Sequence, residues 1–156
     1  MKIAVAADHG GLSLKESVKK KLDAMGVEYH DFGTYTEESV DYPDYGIKVA
    51  EAVAAGEFDR GILICGTGLG MMIVANKVPG IRCALLHDTF SAKATREHND
   101  TNVMAMGARV IGPGLADEIV ELWLSTNYAG GRHQNRLDKI AAIESRYGRE
   151  EGVKGC

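Results

Sequence analysis

Short apolar runs recur along this chain. Between them lie longer stretches in which apolar residues return every three or four positions. The runs at 3–7, 27–32, 61–65, 81–86 and 102–106 predict strands, with a brief restart of the last at 110–111. Several are apolar throughout rather than alternating, the pattern of strands covered on both faces of a parallel sheet. Ser13 and Glu16 have the spacing of a capping box. Leu14, Val18, Leu22 and Met25 follow on one face, and Gly26 suits the helix stop. Further helices are predicted over about 44–55, ending at Gly56; from near Gly70; from Asp88 as N-cap; from Pro113, a residue suited to a first turn; and over about 132–146. On the fourth, Phe90, Ala94 and His98 share a face that should point inward. Leu115, Ile119, Leu122 and Trp123 line one side of the fifth.

This alternation predicts a three-layer α/β fold with a mostly parallel sheet. Such folds bind ligands beyond the carboxyl ends of their strands. Attention therefore falls on 8–11, 65–70, 87–88 and 107–109, where the polar residues do gather.

Composition narrows the classes. A length of 156 residues suits one domain, and 45% hydrophobic with 26% charged residues is ordinary globular usage. A formal net charge of −4 argues against a nucleic-acid binder, and an anionic ligand would need a local basic cluster. Cys65, Cys83 and Cys156 are far apart and form no CxxC pair, so neither a disulfide framework nor a zinc site is expected. The N-terminus reaches Asp8 and His9 too early for a signal peptide, and no apolar run is long enough to span a bilayer. A reducing cytoplasm is the expected compartment.

The stretch Cys65-Gly66-Thr67-Gly68-Leu69-Gly70 follows an apolar run and precedes a helical pattern. Glycines there can turn successive N–H groups into one space and cradle an oxyanion. It is neither a P-loop nor a dinucleotide fingerprint, because Gly-Lys-Ser/Thr is missing and Met71 and Ile73 stand where glycine would be needed. Cys65 is either a small buried hydrophobe or a thiolate stabilised by those amides. Cys83, inside a strand, and Cys156 are given no role. Asp8-His9-Gly10-Gly11 reads equally as a sugar- and anion-binding turn or as a solvated turn with Ser13 as helix cap. His98-Asn99-Asp100 closes the fourth helix as a site edge or as a core histidine near a C-cap. Arg132 and Arg136 are one helical turn apart, either a phosphate receptor or solvated charge, and Arg109 could join them. Tyr42, in the turn into the second helix, could line a pocket.

Together, Asp8-His9, the 65–70 stretch, Asn76-Lys77, His98-Asn99-Asp100, Arg109 and Gly130-Gly131-Arg132-His133 resemble ribose-5-phosphate isomerase type B, in the group that also holds galactose-6-phosphate isomerase subunits. The resemblance covers residues 1–146. It implies a Rossmann-like (flavodoxin-like) fold with a five-stranded, mostly parallel sheet, one isomerase domain over 1–147, and a tail at 148–156. It implies a homodimer or a dimer of dimers, with active sites shared between subunits, and no cofactor, metal, nucleic acid or membrane. The implied enzyme is an intramolecular oxidoreductase of the EC 5.3.1 class. It interconverts D-ribose 5-phosphate and D-ribulose 5-phosphate through an enediolate, in the non-oxidative branch of the pentose phosphate pathway.

By the same resemblance, Cys65 moves the proton between C2 and C1, and Thr67 holds the reacting end. The amides of Gly66, Gly68, Leu69 and Gly70 stabilise the enediolate. His98 assists ring opening with Asp8 as partner, and Asn99 positions the sugar. His9, Arg109, Arg132 and Arg136 match the phosphate set, and Tyr42 a pocket residue. Another branch of the family uses a glutamate base, and the presence of Cys65 fits the cysteine branch. The physical chemistry is consistent: lost oxyanion donors elsewhere cost ~3–4 kcal/mol each, and a remote phosphate can orient the sugar. Two alternatives stand beside this reading. One is an isomerase of allose 6-phosphate, galactose 6-phosphate or a tetrose phosphate; the other is a non-catalytic nucleotide-binding module.

Overall fold

The computed structural model describes residues 1–148. Its five strands are β1 (Lys2–Ala7), β2 (Glu28–Asp31), β3 (Arg60–Cys65), β4 (Cys83–Leu85) and β5 (Val103–Gly107). All pair in parallel, in the order β2-β1-β3-β5-β4. The helices are α1 (Leu12–Ala24), α2 (Pro43–Ala54), α3 (Leu69–Ala75), α4 (Thr89–Asn99), α5 (Pro113–Ser125) and α6 (Gln134–Tyr147), with a 3-10 turn at Gly131–His133 before α6. This is the three-layer α/β architecture that the sequence pattern predicts, in the five-stranded Rossmann-like form that the resemblance implies.

The unbroken apolar runs are explained by two cores. Ile3, Val5, Ile62, Ile64, Met104 and Met106 face one side and meet Leu14, Val18 and Leu22 of α1 and Ile119, Val120 and Trp123 of α5. Their neighbours Ala4, Ala6, Leu63, Cys65, Val103 and Ala105 face the other side and meet Val49, Ala50 and Val53 of α2 and Met71 and Ala75 of α3. A strand whose successive residues alternate between two buried layers has no polar face to show. Full burial of each such branched side chain contributes roughly 1.5–3 kcal/mol.

Three local expectations are corrected. The capping box does not form: α1 has Gly11 at its N-cap with no side-chain cap, and Ser13 lies exposed inside the first turn. Gly11 sits so close to the Ile64 carbonyl that an added Cβ would collide with it, and this contact fixes where the helix begins. Residues 110–111 are not a strand, because the chain turns there and Val110 and Ile111 donate to the Gly107 carbonyl. On α4 the Phe90–Ala94–His98 face points outward, with Phe90 81% exposed. The inward face carries Ala92 and Arg96 instead, because the Arg96 guanidinium lies 6.0 Å from the Trp123 ring centroid and takes the place of an apolar side chain. Of the expected tail, residues 149–156 lie outside the described residues, Cys156 among them.

Candidate active site

The parallel sheet delivers the ends of β1, β3 and β5 to one edge. Glycines let the three turns touch. The near-collision of Gly11 with Ile64 brings the β1–α1 turn against β3. Asp8 is buried, and its Oδ1 accepts the Gly11 N–H at 2.9 Å, so this is not a solvated turn. His9 Nδ1 accepts the Val40 N–H at 3.2 Å, which ties the segment before α2 to the same edge.

Cys65 ends β3 with 5% of its surface exposed, and its Sγ accepts the Gly68 N–H at 3.1 Å. Gly68 has φ 77°, and an added Cβ would lie 2.8 Å from the carbonyl carbon of Met106. One at Gly107 would lie 2.6 Å from the carbonyl carbon of Thr67. The 66–70 turn is thus pressed flat onto the end of β5. Among the described residues nothing accepts from the N–H groups of Gly66, Thr67 and Gly70. A cradle of peptide donors therefore surrounds the sulfur. The Tyr42 ring covers Gly70, where an added Cβ would come within 2.7 Å of it. Arg109 lies over Gly66, with its Nε 3.4 Å from the position of an added Cβ there, and its own N–H donates to the Gly66 carbonyl at 3.0 Å. Thr67 and Leu69 are exposed beside the cradle.

The other expected site residues are elsewhere. Within one chain, α4 leaves the sulfur-bearing edge at Asp88, whose Oδ1 accepts the Ser91 N–H, and runs about 16 Å to the opposite edge. His98 and Asn99 sit there, exposed. The His98 ring stacks on His133 at 4.4 Å and 15°. The Ala129 N–H donates to the Glu97 carbonyl at 3.0 Å, which holds the incoming segment against the end of α4. Arg132 and Arg136 are exposed, the first in the 3-10 turn and the second in the first turn of α6, rather than on one continuous helix. One chain therefore assembles Asp8, His9, Tyr42, Cys65–Gly70 and Arg109 at one sheet edge and carries His98, Asn99, Arg132 and Arg136 away from it.

Two histidines without an assigned role also matter here. His87 Nε2 accepts the Gly107 N–H at 3.0 Å, beneath the cradle, and partial burial holds its pKa below the usual histidine value against the opposing pull of Asp88. His133 is pushed in the same direction by desolvation, then by His98, Arg132 and Arg136. The sequence signal for His87 is only its position at a strand end. For His133 it is membership of the Gly-Gly-Arg-His stretch. Lys15 is fully buried, and nothing in its local sequence signals this. Its Nζ donates to Asp31 Oδ1 at 2.8 Å and to the Thr34 carbonyl at 2.6 Å, which anchors the loop leaving β2.

The buried thiol under its peptide donors stands at the carboxyl edge of a doubly wound sheet, where folds of this class bind small molecules. Residues 3–140 match the family model described as Ribose/Galactose Isomerase. The chain is 62% identical over 147 residues to a Bacillus subtilis protein provisionally named a sugar phosphate isomerase, covering 94% of this chain and 99% of that one. It is 52% identical to ribose-5-phosphate isomerase B of Escherichia coli, over 93% of this chain and 97% of the other. It is 44% identical to D-erythrulose-4-phosphate isomerase of Pectobacterium atrosepticum, over 92% and 95%. The Clostridium thermocellum ribose-5-phosphate isomerase B structure superposes with a TM-score of 0.93 at 55% identity, covering 94% and 99%. The Mycoplasma genitalium ribose-5-phosphate isomerase B, solved with ribulose 5-phosphate bound, does so at 0.87 and 38%, covering 92% and 96%. The chain belongs to the ribose/galactose isomerase family, and it is an aldose–ketose isomerase.

Proposed function

We propose that this enzyme interconverts D-ribose 5-phosphate and D-ribulose 5-phosphate in the cytoplasm, through a single isomerase domain over residues 1–147 and without a metal ion. The observation that carries the reading is the Cys65 sulfur, which takes the Gly68 N–H inside a ring of uncommitted peptide donors. Cys65 removes the proton from C2 of the open-chain aldose. The C–H electrons become the C1=C2 bond of an enediolate, whose oxygen charge falls among the amides of residues 66–70. The same thiol returns the proton to C1 while the proton on O2 passes to O1, so that the C2 carbonyl and the C1 hydroxyl form together. Thr67 holds the reacting end, Tyr42 lines the pocket, and His9 and Arg109 hold the phosphate. The names of the Escherichia coli and Mycoplasma genitalium relatives support the pentose.

In this reading the site is completed by a second copy. His98, Asn99, Arg132 and Arg136 are exposed and one sheet-length from Cys65 in their own chain, so they can reach a thiol only across an interface. There His98 opens the sugar ring, Asn99 orients the chain, and the arginine pair binds the phosphate. Dimer and tetramer both satisfy this requirement.

A tetrose phosphate is the second reading, favoured by the similarity to the erythrulose-4-phosphate enzyme. The test is kcat/KM for ribose 5-phosphate, allose 6-phosphate, galactose 6-phosphate and erythrose 4-phosphate, with EDTA present. The proposal expects the pentose to lead and EDTA to change nothing. A tenfold preference for another sugar moves the assignment to that substrate, and loss of turnover in EDTA overturns the metal-free mechanism.

A further inference from the structure

Asp100 is the only non-glycine with positive φ among the described residues, at φ 45° and ψ 48°. It directly follows His98 and Asn99. Aspartate tolerates the left-handed region better than most residues, but glycine would end a helix there without strain. The side chain explains the choice, because its two oxygens are divided between two guanidiniums. Oδ1 accepts from Arg96 at 2.9 Å, and Oδ2 from Arg82 at 3.1 Å. Arg82 also donates to the Asp100 carbonyl through Nε at 3.0 Å and Nη2 at 2.7 Å, and its Nε reaches the Asn99 carbonyl at 3.1 Å.

Both arginines are themselves anchored. The Arg82 N–H donates to Asn102 Oδ1 at 2.8 Å, at the threshold of β4. Arg96 is buried against Trp123 and donates to the Thr101 carbonyl, while Trp123 Nε1 donates to Thr101 Oγ1 at 2.9 Å. The turn is therefore gripped from the sheet on one side and from α5 on the other. Ending a helix requires far less.

We infer that Arg82, Asp100 and Arg96 form a clamp that positions His98 and Asn99 for the active site of a second copy. The inference rests on the ring-opening role proposed above for His98. All three clamp residues act through their neighbours and need not touch substrate.

The chemistry of the two sugars supplies a test. An aldopentose 5-phosphate is mostly a closed furanose and needs ring opening. A ketopentose 5-phosphate cannot close, because the oxygen that would form its ring carries the phosphate. Exchange of its C1 hydrogen with solvent deuterium therefore uses Cys65 without ring opening. For R82M and D100G we expect kcat on ribose 5-phosphate to fall at least tenfold, in line with the steep cost of misplaced groups. Saturating C1 exchange into ribulose 5-phosphate, which needs the chain oriented by Asn99 but no ring opening by His98, should fall by a clearly smaller factor, about threefold or less. D100N, which tolerates the left-handed turn but lacks the charge, should fall between D100G and the parent.

H98N is measured in the same two assays. If H98N keeps full aldose turnover, the role of His98 is wrong and the clamp has nothing to position. If H98N loses aldose turnover but R82M and D100G do not, the clamp alone is overturned. Parallel loss of both rates together with melting temperature, or failure of both clamp variants to fold, assigns the three residues to stability and also overturns the inference. Arg82 and Asp100 each keep about a third of their side-chain exposure, so neither R82M nor D100G empties a fully buried site.

Discussion

The two edges of the sheet are built by opposite means. At the carboxyl edge the parts are small and dry: glycines at 11, 68 and 107 press three turns together until backbone meets backbone, and the thiol sits inside. At the amino edge the parts are long and charged. Arg82, Arg96 and Asp100 hold an exposed turn through ion pairs, and His98 stacks on His133 beside two exposed arginines. Close packing fixes a reactive atom to within a fraction of an ångström, which suits a proton transfer. Charged groups at a surface suit capture of a phosphate and contact with another copy. On the proposed reading, the first edge gathers the thiol and its donors within one chain, and the second edge is offered to a neighbour's site.

The largest expected effect tests the dry edge. Cys65→Ala should lower kcat by roughly a thousandfold, since it deletes the proposed base, while substrate binding by calorimetry persists. Full turnover in that variant would remove Cys65 as the sole base and with it the meaning of the cradle. Next comes the division between edges. C65A and H98N, each inactive alone, should regain about one quarter of parental activity when co-expressed with different tags, because half of a random mixture of dimers holds one intact site. No recovery in a purified mixed dimer would mean that each chain builds its site alone.

A smaller loss is expected from Gly68→Ala. The residue has φ 77°, and its new methyl would meet Leu85 and the Met106 backbone. Strain of this kind costs about 1–3 kcal/mol of stability. The N–H now aimed at the sulfur would also turn away, for a loss of about a hundredfold in kcat. Thermal melting and turnover separate the two effects. An alanine variant with parental turnover would show that the donor geometry is not needed.

The dry edge was the more legible of the two in the sequence. Its strands announce themselves as apolar runs that stop abruptly at Asp8, Cys65 and Gly107, and the glycines that follow mark close approach. The wet edge depended on partners far along the chain. The inward face of α4 could not be read from Phe90, Ala94 and His98, because the residue that fills it is Arg96, and only Trp123 makes an arginine acceptable there. The place of His133 against His98 follows from how the segment after α5 folds back. At the start of α1 the capping-box spacing was overruled by a backbone contact with Ile64, invisible to any local pattern. Lys15, four residues from the turn, satisfies its charge with Asp31 across the layer, so its burial had no local sign.

His87 sharpens the comparison with the smallest effect, since it is a titratable group held directly under the dry edge. Its Nε2 must be unprotonated to accept the Gly107 N–H, and burial depresses its pKa in the folded chain. The unfolded chain binds that proton near the ordinary value of about 6.5, the folded chain only at lower pH. The stability tied to neutral His87 is therefore complete above about pH 6.5 and declines as pH falls from there through the folded-state value. Glutamine offers an acceptor at a similar reach that does not titrate. H87Q should therefore lose less melting temperature than the parent between pH 7.5 and pH 5, by roughly a few degrees, measured by circular dichroism at each pH. His133, depressed in the same direction, remains in both proteins and keeps its own share of the acid limb. Identical slopes in the parent and H87Q would show that the bond from Gly107 to His87 carries none of the acid sensitivity in this range, and that its burial does not couple the cradle to pH.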